Sequence, residues 1–275
     1  MVDNSMCSNL APELNINRPR KRPGLFAGVA LCTALLGFAQ ARAENLTVCV
    51  DKANPMFATD MAVARAAASQ AGLTPMFLMH NSAVDAVDDD DLTGKSQQKF
   101  FATLAAKCGV IMGFPVEAGY ENLPNGMAAS PPYVQTGFVV ASQGAVPAAS
   151  RVTHTGQVGV LLLTPAMTYF DETTMAHEQV YYSNDDMYGA LLHGQINAAF
   201  IWQPWLNQQL TAHPQKLHQA LLDMPHATWD IVALHAQSAQ ADAAVLKFDS
   251  AVTALAASGR LRAIVQPFAV PRTED

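Results

Sequence analysis

From Glu44 onward, short apolar runs alternate with segments of helical period, and this alternation limits the chain to an α/β architecture. Leu46–Val50 reads as a strand, and the Ala-rich Phe57–Ala71 as a helix stopped by Gly72. Thr74–Met79 is a second strand, followed by an acidic loop over Ser82–Leu92. A helix over Lys95–Ala106 carries Phe100, Phe101 and Leu104 on one face, and Val110–Phe114 is a third strand. Strand, helix, strand, helix, strand predicts a parallel sheet with helices packed outside it.

The pattern then restarts. Pro131-Pro132-Tyr133 leads into an extended apolar run, Val134–Ala141, and Gln143–Ser150 reads as a linker of small residues. Val158–Leu163, Val180–Tyr182 and Ala198–Trp202 read as strands. Thr164-Pro165 has the signature of an N-cap followed by proline at the first helical position. Asn184 or Asp185 caps a helix that ends near Gly194, and Pro204 opens another that runs to about Thr211. Trp229–Leu234 is a strand, Asp242–Ala257 a helix ended by Gly259, and Leu261–Val270 an appended helix or tail. The reading is two α/β lobes joined by two crossing segments, Tyr133–Ala141 and Trp229–Leu234. One lobe takes residues 44–138 and 232–275, the other 139–231.

Residues 1–43 have a different character. Arg18, Arg20, Lys21 and Arg22 precede an apolar stretch, Leu25–Ala39, and Ala41-Arg42-Ala43 follows. Charge, a short apolar core and a small-x-small site are the layout of a cleavable export signal, cut here before Glu44. The core is shorter than the roughly 20 residues a membrane-spanning helix needs. The expected address is the periplasm, with no stable membrane insertion. The signal takes five basic and two acidic residues with it, so the remainder is more acidic than the net −7 of the whole chain. An acidic surface without a basic patch argues against nucleic acid as a partner. Two of the four cysteines, Cys7 and Cys32, lie in the signal. Cys49 and Cys108 remain, each beside an apolar run, and in an oxidising compartment they most simply form one disulfide.

No catalytic motif emerges. A nucleophile elbow, a zinc-protease helix, a P-loop and a glycine-rich dinucleotide turn are all missing from the sequence. The expectation is a protein that is not an enzyme and holds no cofactor or metal. His213 and His218 flank Pro214 and read as surface residues, and Asp88–Asp91 lacks the spacing of a calcium loop. The informative polar and aromatic residues fall at the C-terminal ends of predicted strands, where open α/β sheets bind ligands. These are Lys52, Asn54 and Phe57 after the first strand, and Tyr120 after the third. Ser130 and Tyr133 stand at the first crossing. Thr164, Asn184 and Asp185 open predicted helices, and Trp202 and Gln203 end a strand, with Trp205 close by.

Four segments carry a resemblance: LTVCVDKANPMF, GKSQQKFFATLAAKCGVIMGFPVEAGYE, SPPYVQTGFVV and GQINAAFIWQPW. Together they resemble type II periplasmic solute-binding proteins of the family 3 kind. Within that group the chain is most similar to the J-type branch associated with quinoprotein alcohol and methanol dehydrogenases. That branch has a cysteine pair like Cys49 and Cys108, a run like Cys108–Tyr120 and an aliphatic-Trp-x-Pro turn like Ile201–Pro204. The resemblance implies two Rossmann-like lobes that close on a ligand by hinge motion. It implies either a dehydrogenase partner, with pyrroloquinoline quinone as a candidate ligand, or an ABC-transporter permease. Amino-acid binders of this kind place an arginine before the S-x-P-Y segment, but Asn122–Ala129 holds neither Arg nor Lys. Ordinary amino acids are therefore unexpected ligands unless Lys52 or Arg151 takes that role.

Overall fold

The computed structural model describes residues 44–82, 94–118 and 123–268. The export signal, the aspartate run and Tyr120 lie outside the described residues. The first strand, β1 (Glu44–Asp51), is followed by helix α1 (Phe57–Ala71) and strand β2 (Leu73–His80). Helix α1 ends where predicted. Gly72 takes a left-handed φ of 69° and its N–H caps Ser69 O, a conformation that favours glycine. Helix α2 (Gly94–Ala105) and strand β3 (Val110–Glu117) complete the first α/β unit.

Strands β1, β2 and β3 run parallel. Their alternating side chains feed two cores. Val48 and Val50 pack with Val63 and Ala67 of α1. Cys49 faces the other way, among Leu104, Cys108 and Ile111. There Cys49 and Cys108 form the expected disulfide, with Cα atoms 5.7 Å apart.

Strand β4 (Met127–Ala129) and strand β5 (Val134–Ser142) come next. Helix α3 (Ala149–Thr155), strand β6 (Val158–Leu161), strand β7 (Glu178–Tyr181) and helix α4 (Asn184–Leu192) follow. Strand β8 (Ala198–Trp202), helix α5 (Gln203–Ala212), strand β9 (His218–Leu221) and strand β10 (Thr228–Ala236) lead to the terminal helices α6 (Ala243–Ala257) and α7 (Arg260–Val265). Asp242 caps α6 by accepting from Ala244 N at 2.8 Å.

The sheet order is β2-β1-β3-β10-β5-β8-β6-β7, and the two antiparallel strands in its middle join the halves. Val134–Gly137 of β5 pair with β10, whereas Phe138–Ala141 pair with β8 and Val139–Ser142 with β9. Strand β5 thus changes partners between Gly137 and Phe138. Phe138 N donates to Ala227 O at 2.9 Å. A Cβ on Gly137 would lie 2.1 Å from that same carbonyl, so the approach requires glycine. Strand β10 then lies between β3 and β5. Its His235 is buried, with Nε2 3.6 Å from Asp249 of α6. The Asp249 carboxylate raises the His235 pKa above its ordinary value.

Four sequence expectations need correction. Ser183, not Asn184 or Asp185, caps α4, its hydroxyl accepting from Asp186 N at 3.1 Å. Thr164-Pro165 opens a short 3-10 turn, Pro165–Tyr169, rather than a helix. Asp171 opens the turn that follows: its carboxylate accepts from the backbone N–H groups of Thr173 and Thr174, at 2.9 and 3.0 Å, and from both hydroxyls. The segment read as a linker ends inside α3. The short strands β4 and β9 were not anticipated.

Candidate ligand-binding cleft

The turn after β1 is staked by side chains. Asp51 Oδ1 accepts from Ala53 N at 2.9 Å and Ser82 N at 3.0 Å, and Lys52 N donates to His80 O at 2.9 Å. Asn54 uses its whole carboxamide inside the fold. Its Oδ1 accepts from Met56 N at 2.9 Å, and its Nδ2 donates to Asp60 Oδ2 at 3.2 Å and Gly113 O at 3.3 Å. A Cβ on Gly113 would come within 2.3 Å of Asn54 Nδ2 and 2.6 Å of Asp60 Oδ2, so glycine leaves the space for this cluster. The fixed turn presents Ala53 and Pro55 to a cavity.

Asp60, only 1 % exposed, is the buried acid of that cluster. The Tyr133 hydroxyl donates to its Oδ1 at 2.6 Å. Burial pushes the Asp60 pKa up to about 7, partly offset by the Tyr133 hydrogen bond. Burial also holds Tyr133 well above its ordinary value, reinforced by the Asp60 charge. Tyr133 immediately precedes β5, so the pair ties the turn after β1 to the start of the crossing strand.

The other wall of the cavity comes from the second half of the sheet. Phe138, Phe200 and Trp202 line it from β5 and β8. Phe138 and Trp202 are register partners, with ring centroids 5.3 Å apart. Leu161 and Thr164 lie at the end of β6, Asn184 opens α4, and Trp205 sits in the first turn of α5. The volume is about 370 Å³. Among the described residues, none that lines the cavity carries a charge; Thr164 and Asn184 bring polar side chains, and Trp202 and Trp205 each add one indole N–H donor.

The aromatic surface extends past the cavity. Trp202 meets Trp229 at 6.4 Å, and Phe200 meets Tyr169 at 6.0 Å and Phe170 at 5.9 Å. Burial and the negative charge of Glu117 push Tyr169 up to about 12. Glu117, at the end of β3, pairs with Nδ1 of His226, which precedes β10. Among the described residues, no group of three or more His, Cys, Asp or Glu side chains could hold a metal ion.

Four of the expected site residues, Thr164, Asn184, Trp202 and Trp205, meet at this cavity. The others go elsewhere. Lys52 is exposed and Asp185 lies exposed in the first turn of α4. Phe57 packs against the first core, and Asn54 and Tyr133 are committed to Asp60. Ser130 is buried, accepting from Ala233 N at 2.9 Å, and Gln203 is buried, accepting from the Thr136 hydroxyl at 3.2 Å. Neither Lys52 nor the exposed Arg151 lines the cavity. Sequence reasoning missed Phe138 and Phe200; only the i, i+2 relation of Phe200 to Trp202 gave a signal in the sequence, since the pairing of Phe138 with Trp202 is a matter of register.

The two halves, the partner exchange of β5 and a cavity at the strand ends define the two-lobed periplasmic-binding-protein fold of type II. Solved structures agree. The second substrate-binding domain of a putative amino acid ABC transporter from Streptococcus pneumoniae superimposes with a TM-score of 0.61 at 17 % identity, over 82 % of this chain and 99 % of that one. The L-cystine solute receptor of Neisseria gonorrhoeae, unliganded and open, gives 0.61 at 14 %, over 82 % and 93 %. A histidine kinase sensor domain similar to periplasmic binding proteins gives 0.54 at 15 %, over 84 % and 99 %. No family model matches the sequence, and no curated protein is similar to it.

Proposed function

We propose that this protein is an exported, periplasmic solute-binding protein, whose lobes, 44–138 with 232–275 and 139–231, close on a small ligand and deliver it to an ABC-transporter permease. The observation that carries this reading is one cavity of about 370 Å³ walled from both halves of the sheet. That volume falls in the lower part of the usual range for small-molecule sites, roughly 300–1,000 Å³. The transporter domains with the same fold support it by analogy. A library thermal-shift screen tests it, because a ligand stabilises only the state it binds. A hit should raise the melting temperature and also shrink the radius of gyration in X-ray scattering as the lobes close. A library without a single hit would overturn the reading.

A second reading is an accessory role beside a quinoprotein alcohol dehydrogenase. Leu163 and Tyr182, 86 % and 84 % exposed, favour it. They stand just past the ends of β6 and β7, which pair in parallel at Leu161 and Tyr181. Large apolar side chains so exposed beside the cavity suit protein docking. Co-purification with a dehydrogenase, lost in Leu163→Ser/Tyr182→Ser, would support it. Pyrroloquinoline quinone, a tricarboxylate, fits this lining poorly, since none of the described lining residues is a cation.

A further inference from the structure

We propose that the ligand is a neutral ring bearing a hydroxyl group, a phenol or an aromatic alcohol, rather than an amino acid or a sugar; this rests on the solute-binding reading above. An α-amino acid brings a carboxylate and an ammonium into the cleft. Each buried ion needs a partner, and the described lining carries no charge to offer one. A sugar brings four or five hydroxyl groups. The described lining offers two side-chain acceptors, the Thr164 hydroxyl and the Asn184 carbonyl, beside the indole donors of Trp202 and Trp205; that is too few for four or five hydroxyls, and every hydroxyl left dry costs about 1–3 kcal/mol.

Thr164 and Asn184 have complementary needs. The Thr164 hydroxyl already donates to Leu161 O at 2.7 Å, so what it has left is acceptor capacity. The Asn184 carboxamide makes no hydrogen bond among the described residues, which leaves its N–H₂ free to donate. A single ligand hydroxyl can donate to Thr164 and accept from Asn184. The rest of the lining is suited to a ring. Phe138, Phe200, Trp202 and Trp205 supply aromatic edges and faces, with Leu161 and Pro55 beside them.

The chain also carries its own reporter. Its three tryptophans are Trp202 and Trp205, which line the cavity, and Trp229, which touches Trp202. Tryptophan fluorescence can therefore be titrated with four probes: 4-methylphenol, 4-hydroxybenzoate, L-tyrosine and D-glucose. The neutral phenol should bind about tenfold or more tightly than 4-hydroxybenzoate and L-tyrosine, which carry ionised groups at the methyl position of the same phenol ring. Glucose should give no saturable signal. Trp202→Ala should weaken the neutral phenol about tenfold, and Asn184→Ala, at a half-exposed helix start, about three- to tenfold. Asn184→Ala also serves if the tryptophan variant does not fold. Tighter binding of tyrosine, benzoate or glucose overturns this ligand class and leaves the solute-binding reading standing. If none of the four probes saturates and a small-molecule extract also leaves fluorescence and melting temperature unchanged, both fail.

Discussion

Asp60 is the residue whose chemistry reaches furthest. It is buried with one phenol and one carboxamide as partners, and its pKa is raised from 3.8 to about 7. Between those values the folded protein holds a proton that the unfolded chain has released. The contribution to stability is therefore fully present below the ordinary carboxylate value and is lost as pH rises towards about 7, at up to about 1.4 kcal/mol per pH unit. Asp60→Asn, which cannot ionise, should flatten that part of the profile. Urea melts between pH 4 and 8 check this, and an unchanged slope would assign the pH dependence to other groups. None of this was legible from sequence. Asp60 looks like an ordinary acid in the first turn of a helix, and Tyr133 like a cleft residue. Only the approach of β3 at Gly113 and the start of β5 converts them into a buried pair.

At the scale of elements, legibility followed burial. Helix α1 alternates small and apolar residues against one core and ends at a glycine, so the sequence announces both its face and its stop. Strand β9 exposes three of its four residues and is held by backbone pairing to β5, so it carries no apolar pattern to read. The disulfide was legible because each cysteine sits in or beside an apolar run and no other cysteine follows the export signal. It closes a span of 59 residues from β1 to the start of β3. The chain-entropy account assigns a loop of that length about 4 kcal/mol. Reduction with dithiothreitol should lower the free energy of unfolding in urea by about that amount, and Cys49→Ala/Cys108→Ala should do the same. Gly137→Ala makes the opposite use of local geometry. It adds one methyl group where Ala227 O is 2.1 Å away, and should cost about 2–4 kcal/mol or displace β5 against β10. A melting temperature equal to that of the parent would mean that the strands part there at little cost.

For the whole molecule, the two-lobed fold was legible because each lobe repeats the same strand–helix grammar. The candidate site was half legible. Thr164, Asn184, Trp202 and Trp205 could be placed at the cavity because strand ends are where such sheets bind ligands. Phe138 could not, since inside an apolar run it looks like any core residue, and Phe200 was marked only by its i, i+2 relation to Trp202. The topology has a consequence for the order of assembly. The strands between Phe138 and Leu221 contain all the partners that their half of the sheet uses. The first half lacks its filling strand until Thr228–Ala236 have been made, and α6 comes later still. A chain emerging N-terminus first can therefore finish the middle of its sequence before its beginning. Until then β3 waits with an unpaired edge, an interval in which the nascent chain is most open to pairing with a stranger.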